Sequence, residues 1–145
     1  MCDLSQPNSA GLQEGRAVLR KRCYVVALAN TPPNVLCVKI RRNLTGRAFL
    51  KTGILAAPRP ATRKALYIYL HECAHFALHA DRRKPRHVEE MEAEQWAHDR
   101  MRQAGIPVPR SMTKRAKAYV RWKIEQAIRR GAKRIASEAR RWAAS

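Results

Sequence analysis

Within YLHECAHFALHA, residues 69–80, His71 and His75 stand four apart and Glu72 follows the first of them directly. On a helix, that spacing sends both imidazoles from one face, where their nitrogens can grip one zinc ion at about 2.0–2.1 Å. Glu72 lies aside from this pair. Its carboxylate can reach a water activated by the ion, take a proton from it and pass that proton to a leaving amine. A hydrolytic site of this kind needs a third protein ligand and leaves the fourth position to water. Three residues compete for that role. His79 continues the histidine stripe, but an unbroken helix carries it about 12 Å along the axis from His71, so it reads as a bystander. His87, in the loop beyond, is geometrically free. Glu90 has the stronger claim, because EMEAEQWA (90–97) sets Glu90 and Glu94 on one helix face. One carboxylate can then ligate while the other receives the free ring N–H of a zinc histidine. His98, four residues after Glu94, is a candidate for the same supporting layer.

The HExxH segment followed by a helix of the form E-x-x-A-[D/E/N]-x-x-A, here Glu90, Ala93, Glu94 and Ala97, resembles the gluzincin-type metallopeptidases. The likeness is greatest to the small ImmA/IrrE-like proteins of bacterial hosts and mobile elements, and it spans about residues 62–100. It implies that His71, His75 and Glu90 bind zinc and that Glu72 is the general base. It further implies a protein substrate, often a regulator bound to DNA. The implied fold is a minimal zincin core whose edge strand pairs with an extended peptide, a part that RAFLKTGIL (47–55) can play. The group that stabilises the oxyanion is sought in Tyr119 or a nearby arginine.

Periodicity indicates the elements that must carry these residues. Ala65, Ile68, Tyr69, Leu70, Ala74, Phe76 and Ala77 fall at helical spacing, and neither Gly nor Pro intervenes between Ala61 and Pro85. The segment DRRKPRH (81–87) breaks this helix, and VEEMEAEQWAHDRMRQAG (88–105) starts a second that closes at Gly105. Upstream, CYVVALAN (23–30) and VLCVKIRRN (35–43), joined by TPPN, read as paired strands, with RAFLKTGIL as a third. Residues 1–15, with Pro7, Gly11 and Gly15, read as a flexible tail. Beyond Thr113, the stripe from Val120 to Trp142 describes a long basic helix that bends or splits at Gly131. Taken with the resemblance, the expected fold is α+β: a zincin-like core at 16–110 and a packed helical extension at 111–145. The core holds a sheet of about three strands on the HExxH helix and a second ligand-bearing helix.

Charge widens the choice of function. The chain has 30 Lys and Arg against 11 Asp and Glu, a formal charge of +19, and a field of that size draws polyanions. In the C-terminal helix, Lys114, Arg115, Lys117, Arg121, Lys123, Arg129, Arg130, Lys133 and Arg134 are candidates for salt-sensitive phosphate contacts with DNA or RNA. Aromatic residues make up 6% of the chain and form no Gly-interleaved motif, so no base-stacking platform is expected. Cys2, Cys23, Cys37 and Cys73 form no CxxC pair, which points to a reducing, cytoplasmic setting. Nowhere do about 18 apolar residues run together, so no membrane association is expected. Two functions are therefore carried forward. One is a zinc metallopeptidase whose charge recruits it to nucleic-acid-associated targets. The other is a nucleic-acid-binding or regulatory protein of a mobile element, built on a zincin scaffold without proteolysis.

Overall fold

Cys23 and Ala27 lie one helical turn apart, and both are buried with Leu19 and Val26 packed beside them. A strand would send 23 and 26 to opposite faces, whereas a helix gathers 19, 23, 26 and 27 on one side. The computed structural model, which describes residues 9–145, accordingly shows Ser9–Ala29 as one helix, α1. Two expectations change. CYVVALAN is not a strand, because burial of one stripe outweighs the weak β preference of its valines. Residues 9–15 of the expected tail are helical, and residues 1–8 lie outside the described residues. The helix ends where Asn30 Nδ2 donates to the Val26 carbonyl (2.8 Å), just before Pro32 and Pro33.

Three strands follow: β1 (Cys37–Arg41), β2 (Arg47–Phe49) and β3 (Ile54–Pro58). Their order is β1-β3-β2, with β1 parallel and β2 antiparallel to the central β3. RAFLKTGIL is thus two strands rather than one. The chain turns between them at Gly53, whose φ is +71° and whose missing Cβ would lie 2.7 Å from Leu36 Cγ, so both backbone and space require glycine. Leu55 and Ala57 of β3 point into the main core. Opposite them in register stand Val38 and Ile40 of β1, which are exposed.

Helix α2 (Arg63–Leu78) begins where Thr62 Oγ1 accepts from the Ala65 backbone N–H at 3.2 Å, an N-cap of ordinary strength. It is the centre of the molecule. Leu66, Leu70, Cys73 and Phe76 are buried among β3, α1 and α3 (Arg86–Gln103). α3 closes through Ala104 and Gly105, the latter at φ +69°. The basic C-terminal helix, expected to bend or split at Gly131, is split there into α4 (Arg110–Arg129) and α5 (Ser137–Ala144), with Gly131 at φ +86°. The division lets α5 fold back, so that Ala139 and Ala143 bury against Val120, Ile124 and Met91 in a second small core. Among the described residues the architecture is α+β, with five helices and one three-stranded mixed sheet. No described helix is long and apolar enough to cross a membrane.

Candidate metal centre

Tyr67, His71, His75 and His79 recur every four residues along α2, and Glu90, Glu94 and His98 do so along α3. In a helix each series forms one ladder. Glu90, Ala93, Glu94 and Ala97 are all buried, and the two alanines let the ladders meet closely. Contacts run in opposite senses along the two helices, from Tyr67 with Glu94 to His75 with Glu90.

At the middle of the ladders three side chains converge. His71 Nε2 is 3.2 Å from His75 Nε2 and 3.2 Å from Glu90 Oε2, and His75 Nε2 is 3.7 Å from Glu90 Oε1. Four ligands set tetrahedrally at about 2.0–2.1 Å from an ion stand about 3.3 Å from one another. The two distances to Glu90 end on different oxygens, and one ligand atom from each of the three residues lies within 4.8 Å of the others, close enough for a single ion to gather them. The set is two imidazoles and one carboxylate, which suits zinc and neighbouring divalent metals.

Both inward nitrogens are supported from behind. His71 Nδ1 lies 2.9 Å from Glu94 Oε1, at ion-pair distance but without hydrogen-bond geometry, and the other oxygen of Glu94 accepts a hydrogen bond from the Tyr67 hydroxyl. His98 packs edge-on against Tyr67 with ring centroids 5.2 Å apart and makes no hydrogen bond to Glu94. His75 Nδ1 is 3.1 Å from His79 Nδ1. With His75 Nε2 kept free as a ligand, Nδ1 carries the proton and donates to His79, whose Nε2 then faces Glu92 Oε2 at 3.7 Å. His79, read from the sequence as a bystander, is the buried brace of His75. Its signal was the same four-residue spacing that marked the first pair. His87, the alternative third ligand, is outside the cluster. It sits in the first turn of α3 and its Nε2 accepts from the Ala136 backbone N–H at 3.4 Å, where α5 is about to begin.

Charge follows the same geometry. Burial works to raise the Glu90 pKa, but hydrogen bonds and charges from His71 and His75 overcome it and hold the carboxyl below its usual range. Glu94 has no such pair of partners, and burial pushes it up to about 8 against the opposing charge of Arg115. Glu72 is also raised, mainly by burial, with Glu90 adding to the shift and His71, Arg41 and Arg86 opposing it.

Cavities open on either side of the cluster. One of about 440 Å³ is lined by Tyr67, His71, Glu94, Arg115 and Tyr119. Another of about 350 Å³ runs along β2 and is lined by Ala48, Phe49, Glu72, His75, Glu90 and Tyr119. Gly46 and Tyr119 border both. A Cβ on Gly46 would lie 2.6 Å from Glu72 Cγ and 2.7 Å from its Oε1, so the absent side chain is what makes room for the glutamate. Tyr119 is pushed up to about 12, first by burial and then by Glu90, which keeps its hydroxyl a donor at the cleft.

The basic residues divide by position. Arg115 donates to the Leu44 carbonyl at 3.1 Å, and Lys117 bonds Ser145 Oγ at 3.0 Å while lying over the Trp142 ring. Both have work within the fold. Lys114, Arg121, Arg129, Arg130, Lys133 and Arg134 are exposed, and Lys123 is half-buried. Comparison with protein-family models, with curated proteins and with solved structures finds no match.

Proposed function

We propose that this protein is a zinc-dependent metallopeptidase of the gluzincin type, with His71, His75 and Glu90 as the metal ligands. The observation that carries the proposal is the convergence of these three side chains, one ligand atom of each within 4.8 Å of the others, with Glu72 beside them at the edge of a cavity. When bound, the ion supplies Lewis-acid polarisation of a carbonyl and of water. Everything else belongs to the chain. Glu72 takes a proton from the attacking water and returns it to the leaving nitrogen, and its raised pKa suits a group that must do both. Glu94 and His79 fix the ring orientation of His71 and His75. Tyr119 is the donor placed to stabilise charge developing on the carbonyl oxygen. Strand β2 has one open edge because it ends the sheet order, and it lines the Glu72 cavity. An extended peptide pairs there through backbone hydrogen bonds. The zincin-like core and the ImmA/IrrE-like kinship are part of this same proposal and rest on the motif and on the α2–α3 ladders.

The test is metal analysis together with peptide-library digestion. Wild type should carry about one zinc per chain and cut a defined set of peptides. Glu72→Gln should keep the zinc and lose cleavage, and Glu90→Ala should lose both. A chain that takes up no stoichiometric zinc, or cleavage untouched by Glu72→Gln, overturns the assignment.

A further inference from the structure

The connection between α4 and α5 builds a groove away from the metal centre. Its volume is about 490 Å³, and its walls include Arg86, Trp122, Lys123, Gln126, Arg130 and Arg134. No carboxylate lines it. Arg86 is engaged by Glu89 and Glu90. By contrast, Lys123, Arg130 and Arg134 enter no ion pair among the described residues. Three cations without a carboxylate partner thus face one concave surface, a field suited to phosphates.

The aromatic wall is the second, independent observation. Trp122 is 47% exposed although it sits mid-helix. It stacks on Tyr119 with centroids 5.7 Å apart and an interplanar angle of 23°, and Lys123 Nζ lies 5.2 Å and 5.3 Å from the two ring centres. Burial of Val120 and Ile124 against α5 anchors the helix beneath this pair. Trp122 belongs to neither core, and it lines the groove. An exposed indole face accepts any base, whereas cations beside it accept the backbone. A duplex keeps its bases stacked on one another and cannot use such a wall. A bilayer would need an apolar helix face, and α4 turns Met112, Ala116, Val120 and Ile124 inward.

We propose that this groove binds single-stranded nucleic acid, with a base stacked on Trp122 and the backbone held by Lys123, Arg130 and Arg134. This proposal departs from the expectation, drawn from composition, that the chain has no stacking platform. Two aromatics suffice when helical spacing brings them together. The site stands independently of the metal centre, although Tyr119 belongs both to the stack and to the cleft, so a bound strand lies beside the mouth of that cleft.

Full-length protein should be titrated into labelled oligo(dT) and oligo(U) of about 12 nucleotides, matching the span of a small single-strand site. A duplex of equal length and phosphatidylserine vesicles serve as competitors. The single strands should bind more tightly than either competitor and quench tryptophan emission. Trp122→Ala should weaken single-strand binding by about 5- to 150-fold, and Trp122→Phe should recover most of it. Replacing Arg130 and Arg134 with Gln should flatten the log–log salt dependence by about 1.4, from two phosphate contacts at about 0.7 each. Preference between the DNA and RNA strands tells which source the site takes, and binding of either supports it. Duplex binding as tight as single-strand binding, preferential vesicle binding, or a Trp122→Ala effect below about twofold in a protein with unchanged circular dichroism overturns it.

Discussion

Gly46→Ala separates the proposed general base, Glu72, from the proposed metal ligands. The added methyl would sit 2.6 Å from Glu72 Cγ, whereas carbon atoms settle at about 3.5–4.0 Å. Glu72 must therefore retreat by about 1 Å, through rotation about its own side-chain bonds. Gly46 does not use the left-handed backbone region, so alanine meets no backbone strain. A displacement of about 1 Å in a catalytic group costs on the order of a hundredfold in rate, and the cost in stability should stay within about 1 kcal/mol because the yielding group is a flexible side chain. The ligand atoms of His71, His75 and Glu90 are not among the nearest neighbours of the new methyl. The expected result is a kcat reduced about a hundredfold with zinc affinity and urea midpoint close to wild type. Peptide hydrolysis, zinc competition with a chelating dye and urea denaturation read the three quantities. Unchanged turnover would remove Glu72 from the chemistry as argued, and zinc loss equal to that of Glu90→Ala would mean that the cleft is one coupled unit.

Further substitutions probe the supports. Glu94→Gln and His79→Leu should each weaken zinc affinity by about 10- to 100-fold without abolishing it, because they release the ring behind a ligand and not the ligand itself; equilibrium competition with a chelating dye measures this, and no change in either variant would refute the ladder. His87→Ala should leave zinc stoichiometry intact while loosening the start of α5, seen as faster amide exchange at residue 136, where its imidazole accepts the backbone N–H; loss of zinc would restore it as a ligand. Val25→Pro should cost about 3 kcal/mol in urea unfolding, since Val25 is exposed and lies inside α1; a cost below about 1 kcal/mol would argue against a helix there.

The parts of the fold legible in the sequence were those with strong, long periodicity. The α2 and α3 segments carry their apolar residues at helical spacing, and Pro85 and Gly105 punctuate them, so both helices fall where expected. CYVVALAN was misjudged because seven consecutive apolar residues, Cys23 to Ala29, fit either period. The decision came from α2, which offers a surface for Cys23 and Ala27 together. The break in RAFLKTGIL was hidden because Gly53 is a turn residue only when Leu36 crowds it. Likewise the Tyr119–Trp122 stack depends on which face of α4 the second core buries, a fact absent from composition.

For the candidate site, the one-dimensional spacing alone determined which residues can face one another along a single helix. The pairs His71 and His75, and Glu90 and Glu94, follow from the 3.6-residue repeat without knowledge of any partner. What only the tertiary structure shows is which of the chemically suited residues come together. His79 and His87 were as chemically suited to a metal as Glu90 is. The antiparallel meeting of α2 and α3 sets Glu90 against His71 and His75, moves His79 one turn too far and turns His87 toward α5. Ligand geometry is a relation between two helices, and the repeat of one helix carries no information on the depth at which another will cross it.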